Sequence, residues 1–117
     1  MFDSLYHYRA TVTKVYDGDT ITVSVDLGMN FYRKKIKLRL HEINAPELRG
    51  DSLAEGRKSR DYLRSLILNK DVIIQTLKDK KGKYGRYLAK VWVELDEKWV
   101  CVNSIMVNDG YAIHKKY

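Results

Sequence analysis

Arg39-Leu40-His41-Glu42-Ile43-Asn44-Ala45-Pro46-Glu47 starts as a strand and ends as a sharp exit loop. Leu38, Leu40 and Ile43 are apolar and suit a pleated surface. Pro46 lacks an N–H for a ladder and fixes its own φ, so it stops the pairing there. A guanidinium, an amide and two carboxylates crowd around that stop. Strand ends at a barrel rim are where a rigid frame aims side chains at chemistry. The stretch therefore reads as half of a site, and the rest of the chain should supply the other half.

Upstream, Tyr6 to Tyr16 is rich in aromatic and β-branched residues and reads as a strand. Asp17-Gly18-Asp19-Thr20 is a tight turn in which Gly18 is free to take positive φ. Ile21 to Leu27 alternates apolar with polar residues, which marks a half-buried strand. After a second turn at Gly28-Met29-Asn30, the third strand is expected over Phe31 to Ile43, with Lys34, Lys35 and Lys37 interspersed. Downstream of Pro46, Ser52 and Glu55 fit a capping box that opens a helix running to about Asn69. Leu63, Leu66 and Ile67 form its apolar stripe, and Arg57, Lys58, Arg60 and Arg64 form a solvated basic face. Asp71 to Leu77 and Tyr87 to Leu95 are the fourth and fifth strands, separated by a glycine-punctuated basic loop from Lys78 to Arg86. A short Trp99-to-Val102 segment leads to a second helix over Asn103 to Asn108, closed by Gly110 as its C-cap. The tail from Tyr111 is short and basic.

This order predicts an α+β fold, mostly β: a five-stranded Greek-key barrel of the OB type carrying two helices. At 117 residues it is one domain spanning 1–117, and 44% hydrophobic content is enough for one modest core. Lys and Arg outnumber Asp and Glu by 22 to 15, a formal charge of +7, which points to an anionic partner, nucleic acid first. The single cysteine, Cys101, excludes an intrachain disulfide and any zinc site built on cysteine pairs. The three histidines show no metal-ligand spacing. No run is long enough to span a membrane, and the first residues lack the apolar core of a signal peptide. The expectation is a cytoplasmic protein, or one of the host-cell cytoplasm if phage-encoded. It is expected to be a monomer without an obligate protein partner.

Among residues able to do chemistry, Asp19 enters the second strand and Glu47 leaves the third. In a closed meander these two points lie side by side, so Asp19, Asn44 and Glu47 can converge. A carboxylate, an amide oxygen and the Ala45 carbonyl make a hard-oxygen set that suits Ca²⁺ or Mg²⁺ rather than zinc or copper. The plainer alternative is a turn aspartate capping its own backbone and a surface glutamate. Arg39, inside a strand, needs an anion from ligand or from protein, with Glu42 or Glu47 as the structural candidates. Arg86 can join it in gripping a phosphate, or it can be a solvated loop residue. Tyr84 within a basic loop is a stacking platform for a base or ribose.

Taken in order, Asp17-Gly18-Asp19-Thr20, then Arg39-Leu40 with Ile43-Asn44-Ala45-Pro46-Glu47, then Lys83-Tyr84-Gly85-Arg86 with Leu88-Ala89 resemble the staphylococcal nuclease (thermonuclease) family, in a short bacterial or phage form. The resemblance covers nearly the whole chain. It implies a Ca²⁺-dependent phosphodiesterase acting on DNA and RNA with little sequence preference and leaving 3′-phosphates. By that likeness Asp19, Asn44 and the Ala45 carbonyl hold the ion, and Glu47 positions or deprotonates the attacking water. Arg39 and Arg86 bind the phosphate, and Lys83 and Tyr84 lie at nucleotide-contact positions. The departures are Asn44 in place of an aspartate, which removes one negative charge and admits another divalent ion, and Gly82 before Lys83. The second-to-third strand hairpin is longer than in the staphylococcal enzyme, and that enzyme's third, C-terminal helix has no counterpart in this sequence. A non-catalytic nucleic-acid-binding barrel is the alternative.

Overall fold

The computed structural model of the chain describes residues 6–81 and 87–115, with the backbone alone at 78–81. Alternation of branched apolar residues builds the frame. β1 (His7–Asp17) buries Ala10, Val12 and Val15; β2 (Thr20–Gly28) buries Ile21, Val23 and Val25; β3 (Phe31–Leu40) buries Leu38 and Leu40. β4 (Ile43–Asn44) follows, then a 3-10 turn at Gly50–Ser52 and α1 (Leu53–Ile67). β5 (Asp71–Lys81), β6 (Tyr87–Leu95), β7 (Lys98–Cys101), α2 (Val102–Asn108) and β8 (Ile113–His114) complete the described order.

The main sheet runs β3-β2-β1-β5-β6-β7, and a parallel pairing of β3 with β6 closes five of these strands into a barrel. The closing register sets Leu38 against Tyr87, Arg39 against Leu88 and Leu40 against Ala89. Closure removes two sheet edges that water or another chain would otherwise satisfy. The expected OB-type α+β barrel is thus the observed architecture. Leu63 and Ile67 of α1, fully buried, cap the barrel interior together with Val102 and Met106 of α2. Each such side chain contributes roughly 1.5–3 kcal/mol on leaving water.

Asn103, the second residue of α2, locks the seam. Its buried side chain donates to the His41 carbonyl (3.0 Å) and the Ala89 carbonyl (3.2 Å), and accepts from the Val91 N–H (3.1 Å). One amide thus ties the end of β3 to the middle of β6.

Five expectations about the elements need correction. β5 runs on to Lys81 instead of ending at Leu77, so the first residues of the loop expected from Lys78 are strand. The third strand does not continue to Ile43. It stops at Leu40, and His41 and Glu42 form a turn in which Glu42 takes φ 63°. Ile43 and Asn44 then pair with Ile113 and His114, so the tail read as merely basic carries a strand. The capping box is not formed, because Ser52 Oγ donates instead to the carbonyls of Glu47 and Arg49, both at 2.9 Å. That bond holds the exit loop against the helix start, a use of the hydroxyl that competes with capping. The first helix ends at Ile67 rather than about Asn69. Gly110, at φ 84°, does stand just past α2 as expected.

Candidate active site

The β1–β2 turn and the β3 exit meet because the barrel sets them side by side. Thr20 pairs with Arg39, and the Leu40 N–H donates to the Asp19 carbonyl at 2.8 Å. Across this junction the Asp19 carboxylate reaches the exit loop, where Oδ2 accepts the Ala45 N–H at 2.8 Å. Oδ1 accepts from the Thr20 hydroxyl at 3.2 Å, and the Asp19 N–H donates to Asp17 Oδ1 at 3.1 Å. Asp19 is only 6% exposed and its carboxylate serves the exit loop rather than capping its own turn, as the plainer reading had it.

Gly18 is needed here for proximity rather than for positive φ. A β-carbon on it would stand 1.8 Å from Ser59 Oγ and 2.7 Å from the Ala45 β-carbon. The turn can therefore lie flat against α1 and the exit loop only without a side chain. Gly56 does the same from the helix side, since its β-carbon would stand 2.5 Å from the Glu47 carbonyl oxygen. These two close approaches fix where Asp19 and Glu47 sit relative to one another.

Arg39 is held on every side by oxygen. Nη1 donates to the carbonyls of Leu40 and Ile43, each at 2.9 Å, and Nη2 donates to Asn44 Oδ1 at 3.1 Å. Nη2 also lies 3.3 Å from Asp19 Oδ2. Among the described residues the carboxylate paired with Arg39 is thus Asp19, rather than Glu42 or Glu47, the structural candidates named from sequence. A guanidinium gripped in this way is preorganised, because its rotamer entropy is already spent in folding. The turn at Glu42 is what brings the Ile43 carbonyl and Asn44 back over it.

A cleft of about 400 Å³ opens above these groups, walled by Asp17, Asp19, Arg39, Asn44, Ala45 and Glu47, with Tyr16, Leu48 and Arg49 at its rim. Asp17 is the residue that sequence reasoning passed over. Its carboxyl is pushed up to about 6, first by burial, then by the negative charge of Asp19 and a hydrogen bond with it. Two carboxyl groups from one turn thus share a partly dry corner, with the Arg39 guanidinium as the cation beside Asp19. That corner fits a hard cation, whose charge would relieve the repulsion. Among the described residues no three His, Cys, Asp or Glu side chains gather as a metal cluster, so a bound ion would rest on few protein oxygens.

Glu47 stands at the outer wall, its carboxylate 2.8 Å from Arg49 Nε. Both side chains are largely exposed, at 63% and 81%, so the pair is worth little and parts easily. Arg49 was also missed by sequence reasoning; its only signal is its place two residues beyond Glu47. The structure brings together Asp19, Arg39, Asn44, Ala45 and Glu47. Lys83, Tyr84 and Arg86 lie outside the described residues.

A small OB-type barrel thus gathers a guanidinium, three carboxyl groups and an amide at one rim. Comparison supplies the family: the family model described as "Staphylococcal nuclease homologue" matches residues 37–117, and the chain belongs to that family. It is 34% identical over 109 residues to "Protein ParB" of Escherichia coli, covering 89% of this chain and 55% of that one. It is 32% identical over 115 residues to "Micrococcal nuclease" of Shigella flexneri, covering 94% and 60%. An "Uncharacterized endonuclease" of Escherichia coli O157:H7 is 35% identical over 107 residues, covering 91% and 61%. The chain therefore spans little more than half the length of these relatives.

Proposed function

We propose that this domain is a Ca²⁺-dependent phosphodiesterase that cleaves DNA and RNA with little sequence preference and leaves 3′-phosphates. The observation that carries the proposal is the convergence of Asp19, Arg39, Asn44 and Glu47 on one cleft. Family membership and relatives called micrococcal nuclease and endonuclease support it.

Asp19 and Asn44 would hold the ion through their side-chain oxygens, with the Ala45 carbonyl, and Asp17 adds negative charge beside them. When bound, the ion supplies positive charge against the phosphate oxygens as the transition state forms. Hydrolysis builds charge on a five-coordinate phosphorus, and Arg39, in the lining of the cleft, supplies a fixed positive charge beside it. Because its donors are fixed by backbone carbonyls, it needs little reorganisation at that moment. Glu47, free to leave Arg49, accepts a proton from water and orients it for attack. Arg86 serves as the second guanidinium, and Lys83 and Tyr84 contact the nucleotide. Asn44, neutral where a carboxylate would add charge, keeps ion affinity low and widens the choice of divalent metal.

The test is to incubate the protein with labelled single-stranded DNA, duplex DNA and RNA, in Ca²⁺, Mg²⁺, Mn²⁺ or chelator, and to analyse the product ends. The expected result is cleavage in Ca²⁺, none in chelator, and products that phosphatase converts to 3′-hydroxyls. Intact substrate in every metal would leave the alternative, a barrel that binds nucleic acid without cutting it.

A further inference from the structure

The β2–β3 hairpin carries large apolar side chains into water: Leu27, Met29, Phe31 and Tyr32 are 53%, 89%, 65% and 58% exposed. Its two turn residues, Met29 and Asn30, both take left-handed backbone, at φ 51° and 67°. Glycine, asparagine or aspartate suits such a turn, whereas methionine meets both a steric cost and an exposed apolar chain. Folding alone does not account for a methionine there, and strain of this kind gathers where a segment does something else.

The strand leaving that tip is a cationic track. Arg33, Lys34, Lys35 and Lys37 are all exposed. The register slips between Val23 and Val25, and Lys35 takes φ 60° in the bulge, which lets consecutive cations face solvent instead of alternating inward. Among the described residues none of these four makes an ion pair. The track ends at Arg39, in the wall of the cleft. From Phe31 to Arg39 the strand advances about 25 Å at 3.3 Å per residue, the span of about seven stacked nucleotides.

We propose that the β2–β3 hairpin is a second substrate grip for single-stranded polynucleotide. Phe31 and Tyr32 stack on bases, Arg33, Lys34 and Lys35 hold phosphates, and the bond to be cut lies several nucleotides away at the cleft. The inference rests on reading the cleft as a phosphodiester site, because that reading puts one strand of substrate at both ends of β3. A single strand is favoured over duplex because its base faces are open to aromatic side chains. A lipid surface would meet the tip but not a track that runs back to the cleft, and a second copy of a +7 chain would be repelled by it. Strands long enough to reach both places gain affinity through effective concentration, so the hairpin makes the protein discriminate by length.

The experiment measures fluorescence anisotropy of labelled dT5 and dT20 in chelator, with phosphatidylserine vesicles as a separate arm. The proteins are the wild type, Phe31→Ser/Tyr32→Ser, Lys34→Gln/Lys35→Gln and Met29→Asn. Each double variant should weaken dT20 about tenfold while dT5 changes less than about twofold. The salt dependence of dT20 binding should flatten by about 1.4 in log–log slope for the lysine pair. Met29→Asn should melt higher yet bind dT20 less tightly, which separates binding from folding. Unchanged dT20 affinity, an equal loss on both lengths, or hairpin-dependent vesicle binding with dT20 unaffected would overturn the proposal. Because chelator silences hydrolysis, the grip is read even if the cleft cuts nothing; absent cleavage counts against the cleft reading alone.

Discussion

Asp17 shows how much chemistry one turn residue conceals. In sequence it is an ordinary turn aspartate; in the fold it shares a corner with Asp19 and its carboxyl rises from 3.8 to about 6. The folded state therefore holds that proton more tightly than the unfolded chain does. The resulting stability is complete below pH 3.8 and is lost as pH rises through about 6. Asp17→Asn, which cannot ionise, should melt above wild type at pH 7.5 without divalent ions, and the two should converge below pH 4, as thermal melts at both pH values will show. The Asp19, Arg39 and Glu47 positions were legible as residue types, because they stand beside a glycine turn and a proline stop at the two ends of neighbouring strands. Their register came from the likeness of motifs, not from periodicity. The partner of Arg39 was not legible, since the approach of Asp19 depends on barrel closure between residues distant in sequence. At Asn44, replacement by aspartate should strengthen ion binding by about tenfold, readable by calorimetry, as one more negative charge joins the set.

At the scale of elements, the site depends on how closely α1 lies against two loops. Gly56→Ala forces the Glu47 backbone to move, because the new carbon would stand 2.5 Å from its carbonyl oxygen. We expect a loss of about 1–3 kcal/mol in urea unfolding, and a larger proportional loss in turnover than in substrate binding. Asn103 acts on the other side of the site. Asn103→Ala removes the acceptor of the Val91 N–H and one donor each from the Ala89 and His41 carbonyls, and should lower stability by roughly 1–3 kcal/mol, measured by the same unfolding curves. The strands were legible because Ile21, Val23 and Val25 alternate cleanly and because Val72 to Ile74 form a compact apolar run. The end of β3 was not, since Ile43 continues the apolar pattern and nothing in glutamate announces a left-handed backbone at position 42. Ile113 and His114 are too short a strand to show a period, and Ser52 was misread because its hydroxyl had a better acceptor outside the helix.

Across the whole molecule, closure of β3 against β6 turns a meander into a frame with one rim where the β1–β2 turn, the β3 exit and the start of α1 meet. The +7 charge draws polyanions to it, so binding should weaken steeply with salt whether or not the substrate is cut. Salt dependence therefore tests attraction and leaves the chemistry untouched. The chemistry rests on the claim that Glu47 and Arg39, both lining one cleft, act on one phosphate. The most direct test compares single-turnover cleavage of one labelled strand in Ca²⁺ by wild type, Glu47→Gln and Arg39→Lys, with binding measured in parallel. The account predicts intact binding by Glu47→Gln with a rate lowered about 10²- to 10⁴-fold, and a comparable fall for Arg39→Lys. Cleavage by Glu47→Gln at the wild-type rate would contradict it.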